Sequence, residues 1–150
     1  MVTPPDKYCY DYPRPAVTVD AAVFCRPAAH WQVLLIRRRH APFKDFWAFP
    51  GGFVDEHETL EQAVCRETSE ETGLTELKFS QFRAYSKPDR DPRHRTITMV
   101  FVAFTANESG LHAGDDASAV RWFSLNDLPP LAFDHGVILH DLVNEFNLRD

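Results

Sequence analysis

The chain is poor in the residues that staple or anchor a protein. It has three cysteines, Cys9, Cys25 and Cys65, an odd count with no Cys-x-x-Cys spacing. Neither a disulfide framework nor a cysteine zinc site is expected from them, and a reducing, cytoplasmic compartment fits best. No apolar run approaches the ~18 residues of a membrane span, and Met1-Val2-Thr3-Pro4-Pro5-Asp6-Lys7 lacks the apolar stretch of a secretion signal. Basic charge is also scarce: 16 Lys and Arg stand against 22 Asp and Glu, a net charge of −6. A surface of that sign repels a phosphate polymer, which argues against non-specific nucleic-acid binding. With 6 Gly and 11 Pro in 150 residues the composition is not low-complexity, and 44% hydrophobic residues suffice for a core. At this length one domain buries roughly 70% of its unfolded surface without staples.

Residues 1–16 combine Tyr and Pro with little periodicity and read as an extended arm; residues 17–150 form the domain proper. Val17–Phe24 and Gln32–Arg37 are short β-rich runs separated by a loop at Arg26–His30. Phe46–Phe49 is a further short stretch punctuated by Pro42, Pro50 and Gly51-Gly52. Leu77–Tyr85, Thr96–Phe104 and Ala119–Phe123 read as later strands. Between them, Leu60–Thr72 has no Pro or Gly. Thr59 followed by Gln62 is a capping-box signature, and Gly73 stands where a left-handed residue ends a helix. Asp134 is placed to cap a last helix carrying Val137, Ile138, Leu142 and Phe146 at helical spacing. Strands interspersed with two helices imply an α/β class, with sheet layers covered by helices.

The first helix carries an anomaly. Leu60, Val64, Glu67 and Glu71 fall on one face, apolar in its first half and acidic in its second. Uncompensated carboxylates turned toward an interior cost several kcal/mol each, roughly, or become protonated. Glu70 flanks the same stripe, and all three lie at the negative end of the helix dipole. An oxygen-only cluster of this kind suits a hard divalent cation, Mg²⁺ or Mn²⁺, better than zinc. Arg66, four residues before Glu70, is spaced to orient its carboxylate.

The surrounding residues turn this anomaly into a signature. Gly52, Glu58 after five intervening residues, then Arg66-Glu67-Thr68-Ser69-Glu70-Glu71-Thr72-Gly73-Leu74 after seven more, reproduce the Nudix box. Its seven fixed identities would recur by chance about once in 10⁸ windows. The chain resembles the Nudix hydrolases, and the likeness extends to Trp47-Ala48-Phe49-Pro50-Gly51-Gly52 before the box and Trp122-Phe123 after it. Thr68 departs from the aliphatic residue preferred there, and Phe49 from the usual Leu. The resemblance implies an α/β/α sandwich of mixed β-sheets with the box helix packed against them.

It also implies cleavage of a nucleoside diphosphate linked to another group, with bound cations neutralising the diphosphate and acidifying a water. By position in the box, Glu67, Glu70 and Glu71 become metal carboxylates, and the Gly51 carbonyl a further ligand. Glu58 and Arg66 become orienting residues. A box glutamate serves as base, and Asp116, in the loop Gly114–Trp122, as an auxiliary metal or water contact.

Pro88, fifteen residues beyond Gly73, and the Arg90-Asp91-Pro92-Arg93 turn resemble ADP-ribose and nucleotide-sugar members. Arg37, Arg83, Arg90 and Arg93 are the candidate substrate-binding residues, Lys87 lies in the same turn, and Arg38 and Arg39 fall near the phosphates. Phe43, Phe46, Trp47 and Phe133 are either adenine stackers or core. His135 reads as a helix-end or surface residue. The expected reaction is therefore ADP-ribose to AMP and ribose 5-phosphate. Alternatives are a broader nucleotide-sugar or 8-oxo-dGTP-type pyrophosphohydrolase, and a ligand sensor akin to Nudix-related transcriptional regulators. Those regulators append a DNA-binding domain and typically lose box residues; here the box is intact and no such domain is expected after Asp150. A small nucleotide is the expected partner, with no nucleic-acid polymer or membrane, and a homodimer through the arm is a family-level expectation.

Overall fold

The computed structural model describes residues 8–150; the first part of the expected arm, residues 1–7, lies outside them. Among the described residues seven strands and two α-helices follow in the order β1 (Ala16–Cys25), β2 (Gln32–Arg38), β3 (Trp47–Ala48), β4 (Gly51–Phe53), α1 (Leu60–Thr72), β5 (Ser80–Tyr85), β6 (Thr96–Phe104), β7 (Ala117–Ser124) and α2 (His135–Glu145), with one 3-10 turn at Pro27–Ala29. Residues 8–15 are exposed and carry neither strand nor helix. Among the described residues no helix is long and apolar enough to cross a membrane.

The strands form one mixed sheet whose main path runs β3-β2-β1-β6-β5. β1 lies parallel to β6 along its whole length, from Ala16 opposite Thr96 to Phe24 opposite Phe104. Its other edge is shared. Thr18–Asp20 pair antiparallel with Gly51–Phe53 of β4, whereas Phe24 and Cys25 pair with Val33 and Gln32 of β2. β2 then diverges to pair with β3 and β7. The sheet thus splits beside the middle of β1, and the split opens a cleft.

Period-two alternation sorts the apolar residues of the sheet into two layers. Ala22, Phe24, Val33, Leu35, Val100 and Val102 pack with Ile138, Leu139 and Leu142 of α2. Val19, Ala21, Val23, Leu34 and Phe101 pack on the opposite side with Ala63 and Val64 of α1. A helix on each face gives the expected α/β/α layering.

The bounds of α1 follow from its ends. Thr59 accepts from the Gln62 N–H at 3.1 Å while the Gln62 side chain accepts from the Thr59 N–H at 2.8 Å, completing the capping box. Gly73 closes the helix at φ 79°, a left-handed conformation that a Cβ disfavours. The unusual Thr68 is buried, and its hydroxyl donates to the Val64 carbonyl at 2.7 Å, so its polarity is satisfied within the helix.

Three expectations are corrected. Asp134 precedes α2 but makes no side-chain cap, because its carboxylate is taken by Arg90. Val137 and Phe146, grouped by spacing with the buried face of α2, are 61% and 38% exposed, and Leu139 takes the core position instead. The fifth strand starts at Ser80 rather than Leu77, because Leu77 and Phe79 pack toward the α1 layer ahead of the ladder. Leu142→Ala is expected to lower stability by about 3 kcal/mol, whereas Val137→Ala stays within about 0.5 kcal/mol of the parent in urea unfolding. Equal losses would place the α2 core face wrongly.

Candidate active site

The split in the sheet forms a cleft of about 390 Å³. It is lined by the acidic side chains of Glu67, Glu71, Asp20 and Asp116 with Gly51 and Gly52, and by the basic and aromatic side chains of Arg38, Arg39, Arg90, Arg93, Phe53 and Phe133.

β4 and the last two turns of α1 build the acidic side. Glu71 is only 9% exposed, and one of its oxygens accepts the Gly51 N–H at 2.9 Å. Gly52 leaves room for the Glu67 carboxylate, which a Cβ there would push aside. Arg66 is the hub outside them. Its Nε and Nη2 donate bidentately to Glu58 at 3.0 and 2.6 Å, and its Nη1 reaches Glu67 at 2.9 Å and Glu70 at 3.3 Å. Nη2 also donates to the Phe53 carbonyl at 3.1 Å, tying helix to strand.

The charges at this side do not balance. Burial pushes the Glu71 carboxyl up to about 8; the Gly51 N–H opposes this, while Glu67, Asp20 and Asp116 add to it. Burial also raises Glu67, against the pull of Arg66. Among the described residues no three acidic, His or Cys side chains already converge as an ion cage. Glu67 is turned to Arg66, and Glu70 points outward, 59% exposed. Even so, the donors suit a hard divalent cation: they are oxygens only, and the buried carboxylate at their centre has no cationic partner within salt-bridge distance among the described residues. Gly51, Glu67, Glu70 and Glu71 would hold such an ion.

The remaining charged lining is basic, with aromatic rings beside it. Arg38 is half-buried, donates through Nε to the Pro42 carbonyl at 2.8 Å, and lies 4.8 Å from the Phe133 ring. Burial, and then the positive charge of Arg93, pull its pKa down. Arg93 is held bidentately by Asp91 at 3.1 and 2.8 Å, and its guanidinium lies between Phe53 and Phe133 at 5.5 and 5.8 Å. Arg93 is already paired with Asp91, whereas Arg38 has no carboxylate within salt-bridge distance among the described residues and can meet an anion. Arg39 secures the neighbouring loop by donating to the Ala117 carbonyl at 3.1 Å, next to exposed Asp116.

Of the expected substrate-binding arginines, only Arg90 and Arg93 line the cleft. Arg90 is 8% exposed and its donors are engaged by Asp134 at 3.0 and 2.8 Å, which makes it part of the wall. Arg37 points to the other side of β2 from Arg38 and pairs with Asp45 at 3.3 Å. Arg83 sits on the edge strand β5 and reaches Asp141 at 3.4 Å. Neither lines the cleft. Phe133 does, whereas Trp47 packs on Phe123 in the core, Phe43 packs on Phe133, and Phe46 is exposed. His135 begins α2 but is buried at the cleft instead of lying on the surface. Asp20 was missed altogether. A lone acid in the apolar run Val19-Asp20-Ala21-Ala22-Val23 was the available signal.

With the site described, similarity to known proteins decides the family: the NUDIX domain model matches residues 14–142. The chain belongs to the Nudix family. It is 47% identical over 130 residues to the ADP-ribose pyrophosphatase of Methanocaldococcus jannaschii, covering 87% of this chain and 74% of that protein. It is 33% identical over 139 residues to the ADPR responsive transcriptional repressor NtrR of Acinetobacter baylyi, covering 90% of this chain but 54% of that protein. The NUDIX domain of Shewanella oneidensis NrtR, solved in complex with ADP ribose, superposes with a TM-score of 0.85 at 31% identity over 91% of this chain and 94% of that one. The intact box and this kinship make the chain a Nudix pyrophosphohydrolase.

The Arg66 hub has a testable acid dependence. Arg66, helped by the Asp55 N–H, holds the Glu58 carboxyl down from 4.5 to about 2. Its contribution to stability is therefore complete above pH 4.5 and is lost as pH falls through about 2. Glu58→Gln is expected to flatten the loss of thermal stability in that window; an acid profile identical to the parent would remove the pair from the account.

Proposed function

We propose that the enzyme hydrolyses ADP-ribose to AMP and ribose 5-phosphate with Mg²⁺ as its natural cation. The observation that carries this reading is the polarity of the cleft. Buried carboxylates line the same cleft as the Arg38 and Arg93 guanidiniums, which lie against Phe53 and Phe133. A diphosphate would be met directly by the arginines, and cations held by the carboxylates would neutralise its charge. The aromatic rings offer faces to a base or ribose. The pyrophosphatase relative and the ADP ribose complex of the Shewanella NUDIX domain support the same ligand.

In this reading bound divalent cations neutralise the diphosphate and acidify a water. Glu67 takes the water's proton, Arg66 and Glu58 hold the end of α1 in register, and Asp116 contacts metal or water from the loop before β7. The water oxygen forms a bond to one phosphorus, the bridging P–O bond breaks, and the bridging oxygen leaves with the other phosphate. The free thiols Cys9, Cys25 and Cys65 suit a cytoplasmic enzyme.

A sensor reading is favoured by one observation, the likeness to a repressor over 90% of this chain. Turnover separates the two. With ADP-ribose and Mg²⁺ in ¹⁸O-water, stoichiometric AMP and ribose 5-phosphate are expected, with label in one product. Tight binding without products would favour the sensor, and preferential cleavage of 8-oxo-dGTP would reassign the substrate. Glu67→Gln is expected to lower kcat by about 10³-fold with unfolding unchanged; near-normal turnover would remove Glu67 as base.

A further inference from the structure

Asp20, Thr98, Arg90 and His135 come from β1, β6, the β5–β6 connection and the start of α2, and meet at the cleft, which all but Thr98 line. Their exposures are 7%, 0%, 8% and 3%. Burying such a set is generally no more stable than filling the space with apolar side chains, so stability alone does not account for it. Among the described residues every buried side-chain polar atom has a hydrogen-bond partner, and a satisfied buried network holds one arrangement.

The two imidazole nitrogens of His135 have different tasks. Nδ1 accepts the Phe49 backbone N–H at 3.1 Å, which places the ring hydrogen on Nε2, facing Asp20 Oδ1 at 3.5 Å. Asp20 Oδ2 accepts from the Thr98 hydroxyl at 2.7 Å, and Arg90 stands 4.0 Å away while gripping Asp134. Burial holds His135 below its ordinary pKa, so the neutral ring persists.

Phe49 opens a strap anchored at three successive residues. Its N–H goes to His135, the Pro50 carbonyl accepts from the Ala21 N–H at 2.7 Å, and the Gly51 N–H donates to Glu71 at 2.9 Å. Pro50 has no N–H to give, so the setting of Gly51 depends on these anchors together with the pairing of β4 on β1. His135 supplies the anchor from the α2 side, and α1 supplies the one at Gly51.

We propose that His135 is a positioning residue that, through the Phe49 N–H, sets the Gly51 carbonyl against the carboxylates of α1, with Asp20 fixing the imidazole tautomer. The inference rests on the reading of Gly51 as a cation ligand. Two substitutions dissect the ring. His135→Asn puts an amide oxygen where Nδ1 sits and restores the acceptor for Phe49. His135→Gln puts an amide nitrogen where Nε2 sits, keeping the donor to Asp20 but abandoning Phe49.

The readouts are Mn²⁺ binding to the metal-free protein by electron paramagnetic resonance, Phe49 amide exchange by NMR, kcat and KM for ADP-ribose, and urea unfolding. The Gln variant is expected to weaken Mn²⁺ binding by about 10-fold or more. It should also speed Phe49 exchange and lower kcat with little change in KM, and the Asn variant should recover most of each. Equal deficits in both variants, or normal Mn²⁺ binding and Phe49 exchange in the Gln variant, would overturn the assignment. If His135→Gln does not fold, Asp20→Asn is expected to weaken Mn²⁺ binding in the same direction, and unaltered binding would overturn it. The first two readouts need no nucleotide. Mn²⁺ binding by the unsubstituted protein with ADP-ribose left intact would therefore fail the substrate assignment alone.

Discussion

The constraint on which this molecule turns is the burial of Glu71. A carboxylate at the end of a helix, 9% exposed and close to Glu67, Asp20 and Asp116, has one backbone N–H to satisfy it. Helix dipole, desolvation and like charges all oppose its ionisation. A fold that keeps such a group unpaired either accepts a proton there or receives a cation, and the oxygen-only surroundings select a hard one.

The rest of the architecture holds that tension in place. Parallel pairing with β6 fixes β1 along its length, while the sharing of its other edge between β4 and β2 opens the sheet where the carboxylates gather. Arg66 spans three glutamates on the outside and ties them to Phe53 of β4. On the inside, Asp20 is satisfied by Thr98 and a neutral His135, with the Arg90 guanidinium 4.0 Å away. The basic wall is organised differently. Its arginines are aimed by carbonyls, by Asp91 and by aromatic faces, which leaves Arg38 without a carboxylate in salt-bridge range among the described residues.

The acidic half of this site was legible because its signals are local. A capping box, a terminal glycine and a stretch free of Pro and Gly define α1 to the residue, and helical geometry puts Glu67 and Glu71 on the face of Leu60 and Val64. The basic half is written in tertiary contacts. Of the three consecutive arginines at the end of β2, spacing says that Arg37 and Arg38 point opposite ways but not which way the cleft lies. Arg90 and Arg93 look equivalent in sequence, yet Asp134, more than forty residues later, converts the first into a buried strut. His135 reads as a helix-end or surface residue, and it does begin α2, but nothing local foretells that it will be buried and offered an N–H by Phe49. The charge inside the apolar run of β1 was the one readable clue to that network.

The most direct test is thermal unfolding of the metal-free protein and of Glu71→Gln at pH 8, each with and without saturating Mg²⁺. The account predicts that Mg²⁺ stabilises the parent, by about 2.7 kcal/mol at a hundredfold excess over Kd. It also predicts that the Gln variant is the more stable of the two without Mg²⁺, having shed the buried charge, and gains almost nothing from the ion. A parent indifferent to Mg²⁺, or a variant that gains as much as the parent, would contradict it.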